Sequence, residues 1–239
     1  MEVLVRMRIL LIIPAYNEGK NIEKLISKIN SECDSAVDIL IINDCSTDDT
    51  QSICNDINAL TINLPCNLGI GGAVQTGYKY ARLHDYDIAI QVDGDGQHKP
   101  EYIMDLVRYI TEEKADMVIG SRFINKEGFQ STFMRRVGIA YFTYLLKFLS
   151  KRVITDPTSG FRACNKKVIN EFSKRYPVDY PEPESIMYLL RNGYRIKEVP
   201  VIMQERKEGK SSITTFKSLY YMLKVSLAIL IDRFRKQIV

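Results

Sequence analysis

No apolar run in the sequence approaches the roughly 20 uninterrupted residues that a membrane-spanning helix requires, so an integral membrane protein is not expected. Cysteine offers little: Cys33, Cys45, Cys54, Cys66 and Cys164 are odd in number, scattered and without a CxxC pair. Neither a disulfide framework nor a zinc site is indicated, and the expected compartment is reducing cytosol. Histidine occurs only at positions 84 and 98. His84 follows an amphipathic stretch and reads as a surface residue. His98 follows an acidic turn and reads either as a contact to metal or product phosphate, or as a loop residue filling space. Strong charge of one sign is also missing. The net charge is +4, with basic residues concentrated in the second half at Arg135-Arg136, Lys166-Lys167 and from Arg233 to Lys236. That asymmetry suits an anionic substrate or an anionic membrane surface; nucleic acid is not expected, because the charge is modest and no recognition motif is present.

What is there suits one α/β domain. The chain has 239 residues, 46% hydrophobic and 26% charged, which is enough to bury a sizeable core. The opening stretch MEVLVRMRILLIIPAYNE lacks a basic leader and a small-residue cleavage site, and is read as leading into the first buried strand. Apolar runs at Ile9 to Ile13, Asp38 to Ile42, Leu60 to Leu64, Asp87 to Val92 and Met117 to Ile119 alternate with helical patterns. The helices are expected through Ile22 to Ile29, from about Asp48, from about Gly71 to Leu83, and from Pro100 to about Glu113. Such alternation predicts a mostly parallel sheet with helices on both faces, with ligands beyond the carboxyl ends of the strands. Further on, Arg122 to Gln130 is loop-like, Phe133 to Phe148 helical, Asp156 to Gly160 a turn, Lys166 to Ser173 and Glu184 to Asn192 short helices, and Arg195 to Met203 a strand. The segment from Thr215 to the end reads as an amphipathic helix.

The strand from Asp87 ends in Asp93, Gly94 and Asp95, placing two carboxylates one residue apart at the sheet's carboxyl edge. A D-x-D pair there can hold a hard cation such as Mg²⁺ or Mn²⁺ and leave positions for diphosphate oxygens. The plainer reading is a polar turn. Two neighbouring strands also end in polar clusters, Pro14-Ala-Tyr-Asn-Glu18 and Asn43-Asp44-Cys-Ser-Thr-Asp-Asp49-Thr. Three such ends converging on one edge favour a ligand site over independent solvated loops. The cluster Asn67-Leu-Gly69-Ile-Gly71-Gly72 opens a helix and either cradles phosphate or lets that helix pack closely, the second reading being preferred. Asp156, Glu182 and Glu184 stand in expected loops, and the two glutamates also suit a helix N-terminus.

The motifs IPAYNE, INDCSTDDT, NLGIGGAVQTGYKYA, QVDGDGQH, IGSRF, DPTSGFR and EVPVIMQERKEGKSSI occur in order over nearly the whole chain. In these the sequence resembles glycosyltransferase family 2, and within it the dolichyl-phosphate-mannose synthase-like branch. The resemblance implies a GT-A type, Rossmann-like catalytic domain over residues 1–214 and a C-terminal amphipathic helix over 215–239. It implies that Pro14, Tyr16 and Glu18 form the nucleotide-cradling loop and that Asp44 reads the base or ribose. By the same resemblance Asp93 and Asp95 hold the metal and diphosphate, with Gly94 between them and Gln97 close by. Arg122, Arg206 and Lys210 match positions that contact the donor diphosphate, a role suited to guanidinium forks and an ammonium. Asp156 is expected to face the acceptor as a candidate general base, with Glu184 near the acceptor pocket, and Arg135 and Arg136 near an acceptor phosphate. Asn43 departs from the family, which usually has an aspartate there.

The expected reaction is inverting transfer of a sugar from a UDP- or GDP-sugar to a polyprenyl phosphate or glycan acceptor, aided by Mg²⁺ or Mn²⁺. The segment Gln204 to Ser212 is expected to order over the donor. Two rivals are a sugar-phosphate nucleotidyltransferase, disfavoured because Pro-Ala-Tyr-Asn-Glu replaces a Gly-rich basic signature, and a catalytically silent nucleotide-sugar binding protein. Peripheral attachment to the cytosolic face of a membrane is expected from two apolar stripes with basic neighbours. One comprises Val137, Tyr141, Tyr144, Leu145 and Phe148, the other Leu219, Met222, Leu223, Leu227, Leu230 and Phe234. The alternative is that both stripes pack on the sheet.

Overall fold

The computed structural model describes residues 7–33, 36–112, 115–205 and 215–234, and in the last helix the side chains of 220–231. The apolar run Ile9–Ala15 forms β1, and all seven of its residues are buried. A strand with no polar alternation needs cover on both faces. Leu10 and Ile12 enter one core, Ile9, Leu11 and Ile13 the other.

Strands β2 (Asp38–Asn43), β3 (Thr61–Asn63) and β4 (Ile88–Gln91) extend β1 in parallel. Past β4 come β5 (Met117–Ser121), β6 (Arg162–Asn165) and β7 (Ile196–Pro200). The order is β3-β2-β1-β4-β6-β5-β7, with β6 antiparallel to both neighbours. This central strand was not expected, because Arg-Ala-Cys-Asn is short and opens with an arginine. Inside the sheet that arginine is fully buried.

Helices α1 (Gly19–Cys33), α2 (Thr50–Asp56) and α4 (Ile103–Thr111) cover one face. In α1 and α4 the buried residues fall at helical spacing, Ile22, Leu25 and Ile29 in the first, Ile103, Leu106, Val107 and Ile110 in the second. The other face carries α3 (Gly69–Leu83), α5 (Phe133–Ser150), α6 (Lys166–Lys174), α7 (Pro181–Arg191) and α8 (Thr215–Phe234). Asn165 caps α6 by accepting from Val168 N at 3.1 Å. Pro181 opens α7, with Glu182 and Glu184 in its first turn. Helix α8 joins this core through Val225 and Ile229.

The far end of the sheet is tied by Asp116, just before β5. Its Oδ2 accepts from Arg195 N at 2.8 Å and its Oδ1 from Asn165 Nδ2 at 3.0 Å. Burial alone would raise its pKa, but these hydrogen bonds and the Arg195 charge hold it below the ordinary aspartate value. A depressed carboxylate stabilises the fold above its unfolded pKa, and that contribution fades as pH falls through the folded value. Asp116→Ala is expected to cost about 1–3 kcal/mol at neutral pH, with a smaller difference in strong acid, measured by urea unfolding across pH. An equal cost at every pH counts against the charge being the source.

Candidate functional site

Strands β1, β2, β4 and β5, which run in the same direction, deliver polar residues to the same edge. At the end of β1, Pro14 is buried and Tyr16 half exposed, while the backbone turns through Asn17 at φ 57°. Glu18 is buried, its N–H donates to Thr50 Oγ1 at 3.0 Å, and its Oε2 accepts from Asn21 Nδ2 at 2.7 Å. Asn17 Oδ1 accepts from Thr47 N at 2.8 Å, lacing the first two loops together.

Asp44 follows β2 and is buried. Its Oδ1 accepts from Leu68 N at 2.7 Å, and its carbonyl accepts from Asn67 Nδ2 at 3.1 Å. Asn43 accepts from Ser46 N and donates Nδ2 to Asn63 Oδ1 at 2.8 Å. An ionised aspartate could not donate that second bond, which gives the departure from the family pattern a local reason. Gly71 N bonds Val178 O at 3.2 Å, and a Cβ there would lie 2.1 Å from Pro177 O. Close packing is therefore what this glycine provides.

The acidic turn after β4 is braced from several sides. Gln91 Nε2 donates to Asp93 Oδ1 at 3.0 Å, and His98 Nδ1 accepts from Asp93 N at 3.0 Å. His98 Nε2 lies 3.6 Å from Asp93 Oδ2 while the ring stacks on Phe161. Position 98 thus orients the turn. Asp95 Oδ1 accepts from Gln97 N at 3.0 Å, and Gln97 exchanges bonds with the Gln204 backbone through its own carbonyl and its Nε2. Both carboxylates are partly exposed, and among the described residues no group of three or more His, Cys, Asp or Glu forms a closed metal cage. Two partly exposed carboxylates one residue apart fit Mg²⁺ or Mn²⁺ shared with phosphate oxygens.

Across the edge lie the arginines. Arg122, just beyond β5, makes a two-pronged pair with Asp156, Nε to Oδ2 at 2.7 Å and Nη2 to Oδ1 at 2.8 Å. Arg122 N also donates to Oδ2 at 3.2 Å, and Asp156 is fully buried. Both oxygens of Asp156, expected as a candidate general base, are thus engaged by a permanent cation. Arg135 on α5 is within electrostatic reach of Arg122, Asp95 and Asp156. Desolvation and the like charge of Arg122 lower its pKa, against the opposite pull of Asp95 and Asp156.

The two glutamates of α7 diverge. Glu184 lines a small crevice with Phe172, Arg175 and Tyr188. Glu182 comes within reach of Arg162, Asp93 and Arg135, and burial raises its carboxyl above the ordinary value against the pull of Arg162. Arg162 is fully enclosed and donates to the carbonyls of Ser159, Pro157 and Glu182 and to Ser185 Oγ. Gln91, Arg162 and Glu198 were not singled out from the sequence, while His98, read there as a metal or phosphate contact or as a space-filling loop residue, is found bracing Asp93. A polar Gln91 within an apolar strand was the one visible signal. Arg206 and Lys210 lie outside the described residues.

Residues 10–172 match the profile of the family described as Glycosyl transferase family 2. A UDP-N-acetylglucosamine–dolichyl-phosphate N-acetylglucosaminyltransferase of Methanococcus voltae is 29% identical, covering 94% of this chain and 98% of the relative. A polyprenol monophosphomannose synthase of Mycolicibacterium smegmatis is 27% identical, covering 92% and 86%. Among solved structures, glucosyl-3-phosphoglycerate synthase from Mycobacterium tuberculosis, with Mn²⁺, UDP-glucose and phosphoglyceric acid, superposes with a TM-score of 0.74. It is 21% identical, covers 95% of this chain and 79% of its own, and shows the same GT-A fold.

Gly160 sits under the acidic turn, where an added Cβ would meet Gln91 Nε2 at 2.7 Å and both Asp93 oxygens at 3.0 Å. Gly160→Ala is expected to leave the fold intact and weaken Mn²⁺ binding about tenfold, followed by water-proton relaxation. Unchanged affinity in a folded variant shows that the placement of Asp93 is immaterial.

Proposed function

The chain belongs to glycosyl transferase family 2, and from that premise we propose that it moves a sugar from a nucleoside diphosphate sugar to a polyprenyl phosphate. The observation that carries this reading is the opposition of Asp93 and Asp95 to Arg122 and Arg135 across one sheet edge. Carboxylates on one side and guanidinium groups on the other suit a metal-bridged diphosphate and a second phosphate.

The nucleotide would lie along the loops after β1 and β2, with Tyr16 and Glu18 on one side and Asp44 on the other. Asp93 and Asp95 would hold Mg²⁺ or Mn²⁺, which neutralises charge on the leaving diphosphate when bound. Arg206 and Lys210 are proposed to reach the same diphosphate. Arg122 would contact the same donor diphosphate, and Arg135 would hold the acceptor phosphate in line with the anomeric carbon. A phosphate monoester is already anionic and needs no general base, which agrees with Asp156 being fully engaged by Arg122. The names of the Methanococcus and Mycolicibacterium relatives support an acceptor of this class. The choice between UDP and GDP is open to direct measurement.

The outer faces of α5 and α8 support attachment at a membrane surface, where such an acceptor resides. Val137, Tyr141, Tyr144 and Phe148 on α5 and Leu223, Leu227 and Leu230 on α8 are exposed. The two helices are joined by a 2.8 Å hydrogen bond between Tyr141 and Ser226. Leu145 and Met222 pack inward against the core, and the side chains of Leu219 and Phe234 lie outside the described residues. No described helix is long and apolar enough to cross a membrane.

Purified protein with Mn²⁺ and a short prenyl phosphate should release nucleotide from one member of a panel of UDP- and GDP-sugars. Asp95→Asn is expected to lower that turnover by ~10²-fold or more, and EDTA should do the same. Turnover that survives both removes the metal from the reading. For the membrane contact, paired Leu223→Ser and Leu227→Ser changes should leave the melting temperature nearly unchanged and reduce sedimentation with anionic vesicles by about tenfold. Sedimentation equal to the parent protein's would mean that α8 does not touch lipid.

A further inference from the structure

Glu198 lies on β7 opposite Ile119 of β5, the strand that ends at Ser121 just before Arg122. Its side chain meets the backbone that leads into Asp156. Oε2 accepts from Thr155 N at 2.7 Å, and Oε1 accepts from Asp156 N at 2.9 Å and Thr155 Oγ1 at 3.0 Å. The Thr155 hydroxyl also lies 2.7 Å from Ser121 Oγ, which in turn accepts from Phe123 N at 3.2 Å. Three donors thus converge on one carboxylate, and a chain of bonds runs from it to residues on both sides of Arg122. The Asp156 carboxylate then holds Arg122 itself through its backbone N–H and its guanidinium fork.

We propose that Glu198 is a positioning residue whose carboxylate sets the aim of the Arg122 guanidinium at the phosphate it binds. The inference rests on the phosphate-binding reading of Arg122 given above. Only a carboxylate fits the three donors. A glutamine has one acceptor oxygen and would turn an NH₂ group toward Thr155 N or Asp156 N, setting donor against donor. The Nε and Nη2 edge of the guanidinium is spent on Asp156, so the direction in which its remaining Nη1 faces a phosphate is set by how that carboxylate is held. Asp156 spends both carboxylate oxygens on Arg122, and its loop is held by its carbonyl, which accepts from Ser159 N at 3.3 Å, and by the bonds to Glu198. Burial and the nearby Asp156 charge raise the Glu198 carboxyl above its ordinary value while the three donors pull it down. Its surroundings are therefore those of a carboxylate spent on local hydrogen bonds rather than one open to solvent.

The test is a double-mutant cycle on the full chain, with Glu198→Gln, Arg122→Lys and both together, each titrated calorimetrically with inorganic diphosphate in Mg²⁺. Glu198→Gln is expected to weaken binding about tenfold, and the double variant to bind no more than about threefold weaker than Arg122→Lys alone. Losses that multiply, or a Glu198→Gln protein that binds like the parent, overturn the proposal. If Arg122→Lys itself binds diphosphate normally, the phosphate reading of Arg122 fails. The relay is then judged by the Arg122 Nε–H resonance in a ¹⁵N spectrum of the ligand-free protein. A displaced or exchange-broadened signal in Glu198→Gln supports the positioning role, and an unchanged signal overturns it. Thr155→Val, which keeps the side-chain shape and removes only the hydroxyl, carries the same cycle should Glu198→Gln fail to fold.

Discussion

The site depends on a buried ion pair. Arg122 and Asp156 are withdrawn from water, a costly arrangement unless every donor and acceptor is matched. Here the matching is nearly complete, with Asp156 receiving three bonds from Arg122 and its own N–H donating to Glu198. The consequence is a guanidinium that cannot swing away from the sheet edge. A loosely held arginine would have to give up rotamer freedom on binding, whereas this one is already ordered.

Around that pair the charges are separated by sign. Asp93 is steered by Gln91 and by His98, and Asp95 by the Gln97 backbone, all growing from the carboxyl end of β4. Arg122 and Arg135 stand across from them and within each other's field. Carboxylates kept close together attract a cation and arginines kept close together attract an anion, and the proposed metal–diphosphate with a neighbouring phosphate would satisfy both. The antiparallel strand β6 stands between β4 and β5, and so fixes the spacing of the two halves.

The second face of the molecule follows from how α5 and α8 divide their residues. Ile139, Phe142 and Leu146 on α5 and Val225 and Ile229 on α8 enter the core, which leaves the opposite apolar stripes without cover. Tyr144 and Phe148 are 71% and 83% exposed, more than a soluble surface ordinarily leaves large apolar side chains. Basic residues Arg136, Lys147 and Lys151 share α5 or its end, which is the arrangement an interfacial helix uses.

Strand and helix periodicity along the first half was legible because β1, β2, β4 and β5 are continuous apolar runs and α1 and α4 bury residues at helical spacing. The acidic turn and the loops after the first two strands were legible because such polar groups at strand ends have a common destination in a parallel sheet, whereas Arg122 was marked only by the family resemblance. The antiparallel β6 was not, since four residues containing a buried arginine carry no strand period. Local pattern is likewise silent on partners distant in sequence: Asp156 lies 34 residues from Arg122, and Glu198 another 42 from Asp156. As a lone loop carboxylate Asp156 could be a base; only the fold shows a guanidinium closed on both its oxygens. The sequence by itself determined which groups reach the edge, because periodicity and strand ends are local properties. Which groups pair there, and which are left to meet a ligand, was decided by tertiary structure, because hydrogen bonding between side chains depends on distance in space and not on spacing along the chain.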